Sequence, residues 1–128
     1  MRILVVDDNL DAAELLGEIL RLDGHAIWLA QDAHAALDAA RRFRPDVAIL
    51  DIGMHGMNGF DLARAMRTDP LLAAVRLVAL TGWASEDYRR RAREAGFDAY
   101  LVKPAGIDDL RVHLHQSGAR AADTWPTP

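Results

Sequence analysis

No cysteine occurs among the 128 residues, which excludes disulfides and thiolate metal sites but leaves the redox compartment undecided. Aromatic residues are scarce, at 6% of the chain, and no hydrophobic run approaches the roughly 18 residues of a membrane span. The run Ile3-Leu4-Val5-Val6 after Met1-Arg2 resembles the start of an export signal. It stops at Asp7, well short of the apolar stretch of about 7–15 residues that such a signal needs. A surplus of basic charge is missing too: 15 Lys and Arg face 19 Asp and Glu, for a formal charge of −4. Binding to nucleic acid or to an anionic membrane is therefore not expected. A soluble, cytoplasmic protein is.

Hydrophobic residues make up 51% of the chain, enough for the core of one domain, and the length leaves little room for a second. Short apolar runs alternate with longer helical patterns. Residues 3–6, 26–29, 47–50, 77–80 and 99–102 read as strands, the first and third continuous enough to be buried on both faces. Helices are expected from Asn9 as cap to about Leu22, from Asp32 to Phe43 and from Phe60 to Arg67 with Asn58 as cap. Two more should run from Ser85 to a stop at Gly96 and over residues 107–115. Leu15, Leu16, Ile19 and Leu20 form the apolar stripe of the first helix and are expected in the core, with Trp28 in the core or at the sheet rim. Residues 71–74 add a short turn.

This alternation predicts an α/β fold, a doubly wound five-stranded parallel sheet of order 2-1-3-4-5 with five helices. The domain should span residues 1–116. Residues 117–128, ending Trp125-Pro126-Thr127-Pro128, lose periodicity and read as an irregular tail. No output domain is expected within the chain.

In such folds ligands bind at the carboxyl ends of the strands. There the first polar residues after each run are Asp7-Asp8, Asp51, Thr81 and Lys103. A single aspartate would only mark a strand end. Three carboxylates, a hydroxyl and a lysine on one rim are harder to explain so simply. The carboxylates repel one another unless a cation intervenes, and with one lysine they leave two net negative charges. Oxygen ligands without cysteine or a local histidine pair point to magnesium, with manganese as an alternative. An open magnesium site suits phosphoryl transfer.

The segments Val5-Val6-Asp7-Asp8-Asn9, Leu50-Asp51-Ile52-Gly53-Met54, Gly56-Met57-Asn58-Gly59, Ala79-Leu80-Thr81-Gly82 and Tyr100-Leu101-Val102-Lys103-Pro104 resemble response-regulator receiver domains. The resemblance runs from about Ile3 to His115, and five separated segments agree in order and spacing. It implies that Asp51 is the phosphoacceptor, taking its phosphoryl group from a phosphohistidine or a small acyl phosphate. It implies magnesium on Asp8, Asp51 and the Gly53 carbonyl, with Asp7 acting mainly through water. Lys103 would pair with Asp51 at rest and with a phosphoryl oxygen afterwards. Thr81 would bond another phosphoryl oxygen, and Tyr100 would turn inward on activation. In the family the Lys103–Pro104 bond is cis. The implied partners are a sensor histidine kinase or a histidine phosphotransfer protein, and a downstream protein target.

Some residues depart from the pattern. His55 stands where the family usually has proline and reads as an exposed loop residue that loses a backbone restraint. Gly53 and Trp83 occupy positions that tune phosphoryl lifetime; Trp83 either covers the mouth of the site or caps the next helix on the surface. Arg89, Arg90, Arg91 and Arg93 look like a basic patch. Pairs at i,i+4 (Glu86 with Arg90, Asp87 with Arg91, Arg90 with Glu94) favour a solvated, self-paired face, with partner docking second. His113 and His115, two apart on a helix, do not share a face and are no metal site.

Competing readings are a receiver piece of a hybrid sensor histidine kinase and an aspartyl-phosphate phosphatase of the haloacid-dehalogenase type. The phosphatase would carry its nucleophile in a DxD arrangement on strand one, whereas the lone strand-end aspartate here is on strand three. A degenerate receiver is disfavoured because all five key positions are present. A flavin carrier would need a Ser/Thr/Gly-rich phosphate loop where Asp7-Asp8-Asn9 stands. A phosphoacceptor signalling domain, not a conventional enzyme, is the expected function.

Overall fold

The computed structural model describes residues 1–52, 59–82 and 84–115, apart from the side chain of His115. The Gly53 carbonyl, His55, Asn58, Trp83 and the tail from 117 lie outside the described residues. The chain runs β1 (Arg2–Val6), α1 (Leu10–Leu22), β2 (Ala26–Ala30), α2 (Ala33–Phe43), β3 (Val47–Leu50), α3 (Gly59–Thr68), β4 (Arg76–Thr81), α4 (Glu86–Ala95), β5 (Ala99–Val102), α5 (Ile107–His115). All strand pairs are parallel and the order is β2-β1-β3-β4-β5, as the alternation predicts.

Local chemistry sets the helix ends. Asn9 and Asp32 accept from the amides of Ala12 and Ala35 at 3.1 and 2.7 Å, and the Ser85 hydroxyl accepts from Tyr88 N–H at 3.1 Å. Each satisfies an amide that the first helical turn leaves open. Gly96 closes α4 at φ +105°, a conformation that costs glycine little. In α2 the left-handed cap is Arg44 at φ 53°, immediately before Pro45. Between helices α3 and α4, residues 71–74 form the expected turn, with Leu72 N–H bonded to Asp69 O and Val75 N–H to Leu72 O.

Strand alternation sends side chains to two cores. Leu4, Val6, Leu50, Leu77, Ala79 and Tyr100 pack with α2, α3 and α4, and Ile3, Val5, Ile49, Val78 and Leu101 pack with α1 and α5. Here the leucine stripe of α1 needs correcting. Its buried residues are Ala13, Gly17 and Leu20, while Leu15 is 62% exposed and Leu16 and Ile19 are half-buried. The helix lies so close that a Cβ on Gly17 would meet Leu29 at 3.3 Å, so small residues face the sheet and the large ones move to the flank. Trp28, 47% exposed on the edge strand β2, is a rim residue leaning on Phe43 at 5.5 Å.

The arginine face of α4 also differs from expectation. The i,i+4 pairs do not form among the described residues; Asp87 pairs instead with Arg90 one turn on. Arg89 and Arg91 turn to aromatic rings, Arg89 over Tyr100 at 5.5 Å and Arg91 over Phe60 at 4.6 Å.

Candidate functional site

Asp7 follows β1, Asp51 follows β3 and Lys103 follows β5, so three parallel strands deliver them to one rim. The backbone sets this level: Asp7 N–H donates to Ala30 O, Asp51 N–H to Val6 O, and Lys103 N–H to Thr81 O at 2.7 Å. Asp7 and Asp51 continue the alternation of Val5 and Ile49 toward the α1/α5 face. Thr81 follows Ala79 by two residues and belongs to the other face, the one Tyr100 occupies. The rim is thus shared between both layers of the domain.

One carboxylate oxygen from each of Asp7, Asp8 and Asp51 lies within 4.8 Å of the other two. Asp7 is buried, Asp51 half-buried and Asp8 exposed, a graded opening toward solvent. Lys103 Nζ lies 3.3 Å from Asp7 Oδ2 and 3.5 Å from Asp51 Oδ2. The lysine thus pairs with Asp51, as the resemblance implied, and with Asp7 as well. Three anions around one cation leave the cluster under-neutralised, and its all-oxygen donors fit a hard divalent ion. Beside it, a cavity of about 330 Å³ opens between α1 and the sheet, lined largely by Leu16, Ile19, Ile49 and Leu80.

Thr81 is fully buried at the end of β4, one residue inside the strand. Tyr100 is fully buried as well. Burial pushes its phenol above the ordinary value, partly offset by the Arg89 guanidinium. The Lys103–Pro104 bond is cis, as the resemblance implied.

The sequence matches the response regulator receiver domain across residues 3–115. The chain belongs to that family. Over its whole length this receiver domain is 39% identical to part of the virulence sensor protein BvgS of Bordetella bronchiseptica, of which it covers 11%. Over 80% of its length it is 40% identical to the DNA-binding response regulator MtrA of Mycolicibacterium paratuberculosis, of which it covers 44%. It thus spans less than half the length of either relative. Among solved structures it resembles the chemotaxis response regulator CheY4 of Vibrio cholerae, with TM-score 0.81, 27% identity and coverage of 88% of this chain and 97% of that one. A Burkholderia pseudomallei response regulator, solved with a phosphorylated aspartic acid and a calcium ion, aligns with TM-score 0.83 and 29% identity over 90% of this chain and 66% of that one. The receiver is a two-component signalling domain, of the kind found in response regulators and in hybrid sensors. No helix among the described residues is long and apolar enough to cross a membrane.

The supporting roles of four residues escape sequence reasoning. Asn9 donates its N–H to Asp7 Oδ1 at 2.9 Å and so orients that carboxylate, besides capping α1. Gly59 is required by close approach: a Cβ there would meet Ile52 Cα at 2.8 Å and Asp51 O at 3.0 Å. Its place in the quoted Gly56-Met57-Asn58-Gly59 segment was the available signal. Arg67 and Asp98 form a buried pair at 2.7 Å, at the opposite end of the sheet.

Proposed function

We propose that Asp51 accepts a phosphoryl group from a phosphohistidine of a sensor kinase or phosphotransfer protein, and that the receiver then changes its protein-binding surface. The convergence of Asp7, Asp8, Asp51 and Lys103 at one rim carries this reading. An Asp51 carboxylate oxygen attacks phosphorus, a P–O bond forms and the P–N bond to the donor imidazole breaks. Asp8 and Asp51 would hold magnesium directly, with the Gly53 carbonyl, and Asp7 would hold it through water. Manganese fits the same oxygen donors. When bound, magnesium neutralises the carboxylates and stabilises charge on the phosphoryl oxygens. Lys103, shared between Asp7 and Asp51 at rest, turns to a phosphoryl oxygen, leaving Asp7 with its bond from Asn9. Thr81 contacts another phosphoryl oxygen from the opposite layer and passes the change to α4 and β5. Tyr100 is the aromatic part of the switch, taking the inward position on activation. Gly53 and Trp83 tune phosphoryl lifetime.

The likeness to BvgS over the whole chain supports a second setting, a receiver inside a hybrid sensor kinase. The chemistry at Asp51 is the same in both.

The test uses a small acyl phosphate and intact-protein mass. Wild type should gain a phosphate adduct that disappears on chelation and in Asp51→Asn. An adduct at the wild-type level in Asp51→Asn would assign the acceptor wrongly, and one that survives chelation would remove the metal.

A further inference from the structure

The two halves of α4 are held by different chemistry. Its fully buried residues, Ala92 and Ala95, belong to the C-terminal half. That end is tied down by Arg67, whose Nε donates to Gly96 O at 2.9 Å and whose Nη2 reaches Asp98 at 2.7 Å. The Arg67 Cγ lies 2.7 Å from where a Cβ on Gly96 would be, so the cap and the guanidinium stem are in tight contact. Before Ala92, in the N-terminal part of the helix, arginines lie on aromatic rings: Arg89 over Tyr100 at 5.5 Å, and Arg91 over Phe60 and Tyr88 at 4.6 and 5.4 Å. Phe60 and Tyr88 stack at 5.7 Å, joining this half to α3. Losing one arginine–aromatic contact changes an opening equilibrium by roughly 2- to 30-fold. Breaking a buried, multiply bonded ion pair changes it far more.

The end with the ring contacts is also the end connected to the site, because β4 finishes at Thr81 and Ser85 caps α4. Tyr100 pairs in register with Ala79, on the face that Thr81 continues. We infer that α4 is a hinged arm, fixed at Gly96 by Arg67 and Asp98 and latched at its other end by Arg89 on the Tyr100 ring, so that the latch sets how readily the arm moves. This deepens the switch proposed above and rests on it for the trigger. The latch itself needs no phosphoryl group to be tested.

Amide hydrogen exchange on the full chain, with no phosphoryl donor present, tests it. Arg89→Ala should speed exchange at residues 89–92 threefold or more while leaving Gly96 and Phe97 at wild-type rates. Tyr100→Leu, which removes the ring and keeps the arginine, should do the same. Arg90→Ala removes an exposed arginine paired with Asp87 and should leave all these amides unchanged. Equal acceleration in Arg89→Ala and Arg90→Ala would reduce the effect to lost charge and overturn the latch. Acceleration spreading equally to Gly96 and Phe97 would overturn the hinge. A missing adduct at Asp51 would defeat the functional proposal and leave this result standing.

Discussion

The two ends of the one parallel sheet treat charge in opposite ways. At the amino end, the Asp98 carboxylate is 7% exposed and accepts from Arg67 Nη2 at 2.7 Å and Leu77 N–H at 2.9 Å. Arg67 spends its other donors on Gly96, Ala73 and Val75 carbonyls. Asp46 takes the Arg2 N–H at 2.8 Å, and its own N–H and C=O bond Arg2 and Arg76, stitching β1, β3 and β4 at their starts. At the carboxyl end, three carboxylates cluster, and two of them, Asp7 and Asp51, share one lysine at 3.3 and 3.5 Å. Balanced, saturated charge makes a brace. Charge left in excess among the described residues fits a hard cation.

If the amino end is a brace, Arg67→Ala should have the largest effect on stability. It removes the guanidinium bonded to the buried Asp98 and should cost about 3–5 kcal/mol, read as a lower urea midpoint at unchanged slope. Phosphorylation of the fraction that stays folded should persist, which separates brace from site. A small loss would mean that water replaces the guanidinium and that the two ends differ less than their geometry indicates.

Gly59→Ala comes next and tests the carboxyl end by shape. The new methyl must displace the backbone at Ile52 and Asp51, at a cost of about 1–3 kcal/mol. Unlike Arg67→Ala, it should also slow adduct formation, since the strand that presents Asp51 is what moves. Normal adduct kinetics would show that Asp51 is positioned independently of the helix after it.

Asp51→Asn should act in the opposite direction. Removing one of three anions around a single lysine relieves repulsion and should raise stability by about 1 kcal/mol, measured in denaturant without added metal. A drop in stability would mean that the Lys103 pair outweighs the repulsion, and the contrast between the ends would narrow.

The smallest effect belongs to an exposed pair outside both ends. The bond from Arg41, then that from Leu71 N–H, holds the Asp69 carboxyl below the usual carboxylate range. A depressed folded-state pKa contributes stability above the unfolded value and loses it as pH falls through the folded one. In Arg41→Ala the Asp69 titration followed by NMR should move up toward the ordinary range, with little change in the denaturation midpoint at neutral pH.

Much of the acidic rim was legible because it depends on local pattern. A strand buried on both faces must be an unbroken apolar run, so the first polar residue after each run marks the carboxyl edge. Asp7, Asp51 and Lys103 stand just past their strands, and Thr81 is the last residue of its own. The helix caps Asn9, Asp32 and Ser85 were legible for the same reason, since a cap bonds an amide three residues away. The arginines of α4 were misread because helical spacing names possible partners without naming competitors. The Phe60 and Tyr100 rings, from other elements, won Arg91 and Arg89.

By itself, then, the sequence determined the order of elements, the parallel sheet and which end of it is acidic, all consequences of periodicities that span a few residues. Only the tertiary structure decided how charges were shared among them. Arg67 meets Asp98 across 31 positions, and Lys103 divides itself between Asp7 and Asp51 across 96 and 52. It also decided that Leu15 faces solvent and that Tyr100 is inside. The physical reason is that such pairings depend on how closely a helix lies on the sheet and which rotamers that leaves. Those distances come from packing the whole chain at once, and no local period encodes them.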